Sequence, residues 1–296
     1  MPKKVAIIDI GTNTINLLMV NKYVDSYAII HSERVGVGLG HGGLSKSIIT
    51  KSAFKKGLAC LNQFSKICYK HNISTIQAFG TSTLRHAKNA TKFINSVKLD
   101  TNIDIKVLDG EEEAQLIYKG IKLGFDFIEK SVIMDIGGGS TELILADSNG
   151  VIEKNSFEIG TSRINQQFNF KDKLSKQDRL NIELYLNDKT GDRLDNFKAN
   201  QLVGSSGSFK TFYEVVYQKK FPTKLYQTIT TKDLKKALEY IIHSTKEERE
   251  NDKFITPLRE RLISISAVKT KWIIDKIGCK RIIISPNSIK EGVIFD

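Results

Sequence analysis

Val132-Ile133-Met134-Asp135-Ile136-Gly137-Gly138-Gly139-Ser140-Thr141-Glu142-Leu143-Ile144-Leu145-Ala146 is the stretch on which the reading of this chain turns. Two apolar runs around three consecutive glycines predict strand, glycine loop, strand. Glycine brings no side chain to pack and loses the most backbone entropy on ordering. What such a loop offers is a run of backbone N–H donors, a concavity for anionic oxygens, with the Ser140 and Thr141 hydroxyls beside it. Asp135 and Glu142 bracket the loop and would repel a bare phosphate. They make sense with a divalent cation or an attacking water between them and a substrate. The bland reading is a glycine-rich hairpin turn with two solvated acids.

The chain begins with a related stretch. Val5-Ala6-Ile7-Ile8 runs into Asp9-Ile10-Gly11-Thr12-Asn13-Thr14 and out into Ile15-Asn16-Leu17-Leu18-Met19-Val20. Apolar run, Asp-Ile-Gly, small hydroxyl residues and apolar run thus recur after 126 residues. Two similar half-molecules facing one phosphate-binding cleft would produce that recurrence.

At 296 residues the chain suits two domains, each able to bury a core. Hydrophobic content of 40% and charged content of 26% are those of a globular protein. No apolar run approaches the roughly 18 residues of a membrane span, and the N-terminal run stops at Asp9, too early for a signal peptide. No membrane partner and a cytoplasmic location are therefore expected. Cys60, Cys68 and Cys279 form no C-x-x-C pair and read as reduced thiols on packed faces. The five histidines show no metal-ligand spacing.

Net charge is +12, of which +4 lies in residues 1–150 and +8 in the rest. That excess favours a polyanionic partner. The clusters Lys219-Lys220, Lys232/Lys235/Lys236 and Lys269/Lys271/Lys276/Lys280/Arg281 read one by one as solvated helix faces. Nucleic acid is not expected, because no helix-turn-helix, zinc-finger or RNP pattern is present and the lysine clusters lack interleaved aromatics.

Along the first half, Tyr27–Val35 reads as a strand, Gly36–Gly43 as a flexible loop, residues 50–69 as a helix and Thr75–Phe79 as a strand. The G-x-G-x-x-G within Gly36–Gly43 does not sit between a strand and a helix, which excludes a dinucleotide site. Thr81–Asn89 opens a short helix. Its Arg85 is either a bidentate phosphate clamp or a surface ion pair. After a strand at Ile103–Leu108, a helix opens on Glu111-Glu112-Glu113, acids that suit a helix N-terminus. Three exceed what a cap needs, and one turned into a cleft would act as general base for water.

In the second half, Gly150–Ile159 pairs with the strand after the glycine loop, and Gly160-Thr161-Ser162-Arg163 starts a helix. Gly204-Ser205-Ser206-Gly207-Ser208 is another strand-to-helix turn, either a tight cap or a third phosphate contact. Helices follow near 175–186, 231–243 and 260–277, then a strand at Arg281–Ser285 and a last short helix.

With these residues in view the chain resembles the exopolyphosphatase / guanosine pentaphosphate phosphohydrolase family, in its short two-domain type. The likeness rests on Asp9-Ile-Gly-Thr-Asn-Thr14, Thr81-Ser-Thr-Leu-Arg-His-Ala87 with Asn89, Gly110-Glu-Glu-Glu-Ala114 with Leu116-Ile-Tyr118, and Asp135-Ile-Gly-Gly-Gly-Ser-Thr-Glu142. Ile159-Gly-Thr-Ser-Arg163 and Gly204-Ser-Ser-Gly207 add to it. The resemblance implies an α/β fold of two actin-like (ribonuclease H-like) domains, residues 1–121 with 286–296 and residues 122–285, about a central cleft.

It also implies release of terminal phosphate from inorganic polyphosphate, guanosine pentaphosphate or both, with Mg²⁺ or Mn²⁺, by a monomer or homodimer. Glu113 would orient or deprotonate the attacking water, Glu142 would assist it and hold metal or water, and Asp135 and Asp9 would position the cation. Phosphoryl oxygens would be held by Gly11, Thr12, Asn13, Thr14, Arg85, Gly137, Gly138, Gly139, Ser140 and Thr141, and by Gly204, Ser205 and Ser206. Where relatives carry Arg-Ala-Asp and a following glycine, this chain has Ile263 and Val268 after Arg261. Two other readings stand beside the phosphatase: a non-catalytic sensor of alarmone or polyphosphate, and an ATP-using kinase or ATPase of the same superfamily.

Overall fold

The computed structural model describes residues 2–170 and 172–296. The chain divides into two compact units, Met1–Gly120 with Ile289–Asp296, and Ile121–Ser288.

In the first unit β1 (Lys3–Ile10) forms an antiparallel hairpin with β2 (Ile15–Lys22), and β3 (Tyr27–Val35) pairs with the far edge of β2. On the other side β4 (Thr75–Gly80) lies parallel to β1 and β5 (Ile105–Val107) parallel to β4, giving the order β3-β2-β1-β4-β5. The helices are α1 (Lys51–Lys70), α2 (Ser82–His86), α3 (Ala90–Thr101) and α4 (Gly110–Lys122). Strand alternation sends Ala6, Ile8, Ile10, Ile15, Leu17 and Met19 to one face, where they meet Phe64 of α1 and Phe93 and Val97 of α3.

The second unit repeats this plan. Its strands are β6 (Ser131–Ile136), β7 (Thr141–Asp147), β8 (Gly150–Phe157), β9 (Gln201–Ser205), β10 (Gln227–Thr230) and β11 (Arg281–Ile284), in the order β10-β11-β9-β6-β7-β8. Thus β8-β7-β6-β9-β11 repeats the order of β3-β2-β1-β4-β5, with β10 added antiparallel at the edge. The helices are α5 (Thr161–Phe168), α6 (Lys176–Thr190), α7 (Gly207–Tyr217), α8 (Thr231–His243), α9 (Lys246–Asn251) and α10 (Ile263–Ile277). The last helix, α11 (Ile289–Ile294), belongs to the first unit, where it contacts β1, and a Cβ on Gly292 would lie 1.9 Å from the Leu116 carbonyl oxygen. A twice-repeated α/β sheet of this order is the architecture expected of actin-like domains.

Local chemistry sets the helix ends. Ser175 accepts from Asp178 N–H at 3.1 Å while the Asp178 carboxylate accepts from Ser175 N–H at 2.9 Å, a capping box at the start of α6. Ser175→Ala is expected to lower stability by about 1 kcal/mol, read as a drop in melting temperature with turnover unchanged. The three cysteines are buried thiols. Burial pushes Cys60 up to about 12 and Cys68 and Cys279 up to about 11, so they stay protonated and inert. Among the described residues no helix is long and apolar enough to cross a membrane.

Candidate functional site

Each unit folds its strand–loop–strand signature into the same turn. Gly11 N–H donates to the Thr14 carbonyl at 3.0 Å, and Gly137 N–H donates to the Ser140 carbonyl at 3.1 Å. Asp9 stands opposite Asn16 across its hairpin and Asp135 opposite Glu142 across the other, so an asparagine holds in one loop the place of the glutamate in the other.

The carbonyls of both loops are bound from behind. Gly38 and Gly40 N–H groups donate to the Asn13 and Thr12 carbonyls at 2.9 and 3.0 Å. In the second unit the first N–H groups of α5 do the same: Gly160 donates to Gly139, Thr161 to Gly137, and Ser162 and Arg163 to Gly138, all at 2.9–3.1 Å. In a trans peptide the carbonyl and the next N–H point in opposite directions. Binding the carbonyls of Gly137, Gly138 and Gly139 therefore aims the N–H groups of Gly138, Gly139 and Ser140 away from α5, as an anion cradle requires. Gly36–Gly43, expected to be a flexible loop, is instead the backing of the first cradle.

In the first unit the three glutamates of α4 separate. Asp109 caps the helix, accepting from the Glu111 and Glu112 N–H groups at 2.9 and 2.8 Å, and Glu112 reaches back to Asp109 N–H at 3.1 Å. Its hydrogen bond with Lys106 holds the Glu112 carboxyl below the usual range. Glu113 is the buried one, 7% exposed, and accepts from Arg85 Nη1 at 3.0 Å. Arg85 Nη1 also donates to the Leu108 carbonyl at 3.0 Å. Arg85 is thus no surface ion pair: its guanidinium seats the buried glutamate. Asp9 accepts from Asn16 Nδ2 at 2.9 Å, and the buried Thr12 hydroxyl accepts from Thr83 at 2.9 Å.

In the second unit Asp135 accepts from Ser288 at 2.7 Å and Glu142 from Ser156 at 2.7 Å, both carboxylates buried. Ser140 is buried, and Thr141 donates to its carbonyl at 3.0 Å. Of the strand-to-helix turn, two predicted contacts are consumed by packing. A Cβ on Gly204 would lie 2.2 Å from the Phe209 ring, and Ser205 is fully buried and donates to the Asn287 carbonyl at 3.3 Å. Ser206 differs. It sits at φ +86°, a strained value for a residue with a side chain, and its buried Oγ has no partner among the described residues.

One group escaped the sequence reading. Lys269, placed there among solvated lysines, is 0% exposed on α10, and its Nζ donates to Thr141 Oγ1 at 2.5 Å. Burial lowers its pKa to about 7, against the pull of Glu142 and Asp135. A lysine in Ala267-Val268-Lys269-Thr270 carries no local sign of this; the packing alone reveals it. The structure also brings aromatics to lysines, with Lys219 over Tyr213 and Tyr217 and Lys220 and Lys253 over Phe254. Tyr213 and Phe254 are buried, and Tyr217 is exposed.

Paired carboxylates on neighbouring strands are hard oxygen donors, the kind a divalent cation such as Mg²⁺ takes. No group of three His, Cys, Asp or Glu among the described residues forms a closed cage. A cation held by Asp135 and Glu142 would have to take its remaining ligands from water and phosphate oxygens.

A family model described as the Ppx/GppA phosphatase family matches residues 19–296. A bifunctional 3-dehydroquinate synthase/phosphatase of Fusobacterium nucleatum is 30% identical over 310 residues, covering 98% of this chain, which spans 46% of that relative's length. Exopolyphosphatase 1 of Mycobacterium leprae is 24% identical over 304 residues, covering 99% of this chain and 88% of that one. The crystal structure of an exopolyphosphatase from Cytophaga hutchinsonii superposes with a TM-score of 0.94 at 30% identity, covering 99% of this chain and 97% of that one.

Proposed function

We propose, because this chain belongs to the Ppx/GppA phosphatase family, that it hydrolyses the terminal phosphoanhydride of linear polyphosphate, with guanosine pentaphosphate as the other candidate substrate. The observation that carries this reading is the glycine cradle whose carbonyls are bound from behind, once in each unit. Phosphoryl transfer needs little covalent work from a protein; it needs a placed water and a positive surround for equatorial oxygens.

Each unit carries groups suited to part of that need. Glu113 hydrogen-bonds the attacking water and takes its proton. The Arg85 guanidinium fixes that carboxylate in place, which suits a loose transition state in which the water is aligned before its proton leaves. The amides of Gly138, Gly139 and Ser140 hold phosphoryl oxygens, and Ser206 offers a further hydroxyl. Asp135 and Glu142 would hold Mg²⁺, which when bound supplies charge neutralisation for the phosphate oxygens. The +12 net charge raises the local concentration of a polyanion.

The test is phosphate release by the purified protein in Mg²⁺ on long-chain polyphosphate, guanosine pentaphosphate and ATP, with Glu113→Gln as the blank. Release from polyphosphate that the blank lacks is expected. Turnover of ATP alone would move the chain to the ATPases of its superfamily, and tight polyphosphate binding without turnover would make it a sensor.

A further inference from the structure

We propose that Lys269 is a positioning residue for the anion cradle, a buried amine behind Thr141 whose protonated form offsets Asp135 and Glu142 so that the loop amides can hold an anion. This rests on reading the loop as a phosphate site and goes beyond it by assigning the charge that makes the site attractive.

Strand alternation places Thr141 with Leu143 and Leu145, on the face that shares a hydrophobic cluster with Ile265, Val268, Trp272 and Ile273 of α10. Asp135 and Glu142, register partners, occupy the other face. Lys269 therefore reaches the root of the loop from the side opposite the two carboxylates, and its ammonium is anchored to the hydroxyl next to Glu142. A wholly buried ammonium is costly, and an aliphatic residue would suit these neighbours better if packing were the sole demand. Glu142 and Asp135, the carboxylates of β7 and β6 that act on it through the sheet, offset only part of that cost, and burial outweighs them. A cradle bounded by two carboxylates and no cation would repel phosphate; protonation of Lys269 brings it nearer balance before any metal arrives. By linkage, an anion on the loop and the proton on Lys269 stabilise each other.

The experiment is calorimetric titration of tripolyphosphate into wild-type protein, Lys269→Met and Lys269→Gln, first in excess chelator and then in Mg²⁺. Gln keeps a donor for Thr141 without charge, which separates the hydrogen bond from the field and covers a Met variant that does not fold. The wild type is expected to bind in chelator and both variants to bind about tenfold to a hundredfold more weakly. Mg²⁺ is expected to narrow the gap by replacing the missing charge. Equal affinity of wild type and Gln variant in chelator overturns the proposal, and so does a gap that Mg²⁺ leaves untouched. Phosphate release measured alongside separates the two readings. Turnover by the wild type with no binding in chelator overturns the counter-ion alone, whereas neither turnover nor binding in any condition overturns the phosphatase reading as well.

Discussion

Glu113→Gln is expected to lower phosphate release by about a hundredfold to a thousandfold, roughly 3–4 kcal/mol of transition-state stabilisation, while the protein stays folded. Glutamine has the same length and its amide oxygen can still accept from Arg85 Nη1, so the contact between α2 and α4 survives in neutral form. The exchange of a charged for a neutral hydrogen bond costs about 1 kcal/mol of stability. Two measurements decide it: the initial rate of phosphate release on polyphosphate, and the melting temperature. Wild-type rates in a folded variant would remove Glu113 from the reaction. Glu112→Gln is the contrast, because that side chain is spent on Asp109 and Lys106; it is expected to soften the start of α4 and leave turnover near the wild-type rate.

Gly160→Ala carries the second large effect, on fold and turnover together. Gly160 sits at φ −62° and ψ 155°, a conformation open to any residue, so its glycine is required by space alone. A Cβ there would lie 2.3 Å from Gly138 C and O and from Gly139 C, backbone atoms of the cradle. The methyl group must push the loop off the α5 N-terminus and break some of the four hydrogen bonds that orient it. Overpacking of this kind costs about 1–3 kcal/mol. Phosphate release is expected to fall by about a hundredfold or more, as when an oxyanion donor is removed. Gly191→Ala serves as control: its φ of +54° makes the alanine strained, yet nothing lies within 4 Å of the new methyl, so stability should fall by about 1–3 kcal/mol with turnover retained. Equal behaviour of the two variants would sink the idea that Gly160 sets the loop.

Much of this was legible in the residues, because the two Asp-Ile-Gly hairpins are local structures that declare themselves by apolar runs and glycine. The duplicated sheet follows from them. What was not legible depends on distant parts of the chain. Helix α3 draws on Thr, Asn, Ser and Val, weak helix formers, and is held by burial of Phe93 and Val97 against the sheet. Strand β10 is four residues that pair along one edge of β11 alone. Helix α9 has no apolar residue and stands on the Thr245–Glu248 capping box. Helix α10 begins at Ile263, three residues later than its apolar pattern suggests. In the site, composition and spacing leave Glu111, Glu112 and Glu113 alike and the resemblance alone names Glu113; that it is the one buried against Arg85 depends on which side of α4 meets α2. Lys269 could be found only by seeing its ammonium under Thr141.

The return of α11 to the first unit bears on how the chain is made. Residues 121–288 are inserted between the two pieces of the first unit, so all of them are synthesised before Ile289–Asp296. The half whose sheet is synthesised earliest is completed only by residues 289–296, among them the buried Val293 and Ile294. A chain cut before Ile289 would thus keep every residue of the second unit and leave the first without the helix that contacts β1. The unit begun first is the unit completed last, so a cut before Ile289 is expected to weaken the N-terminal half and spare the inserted one.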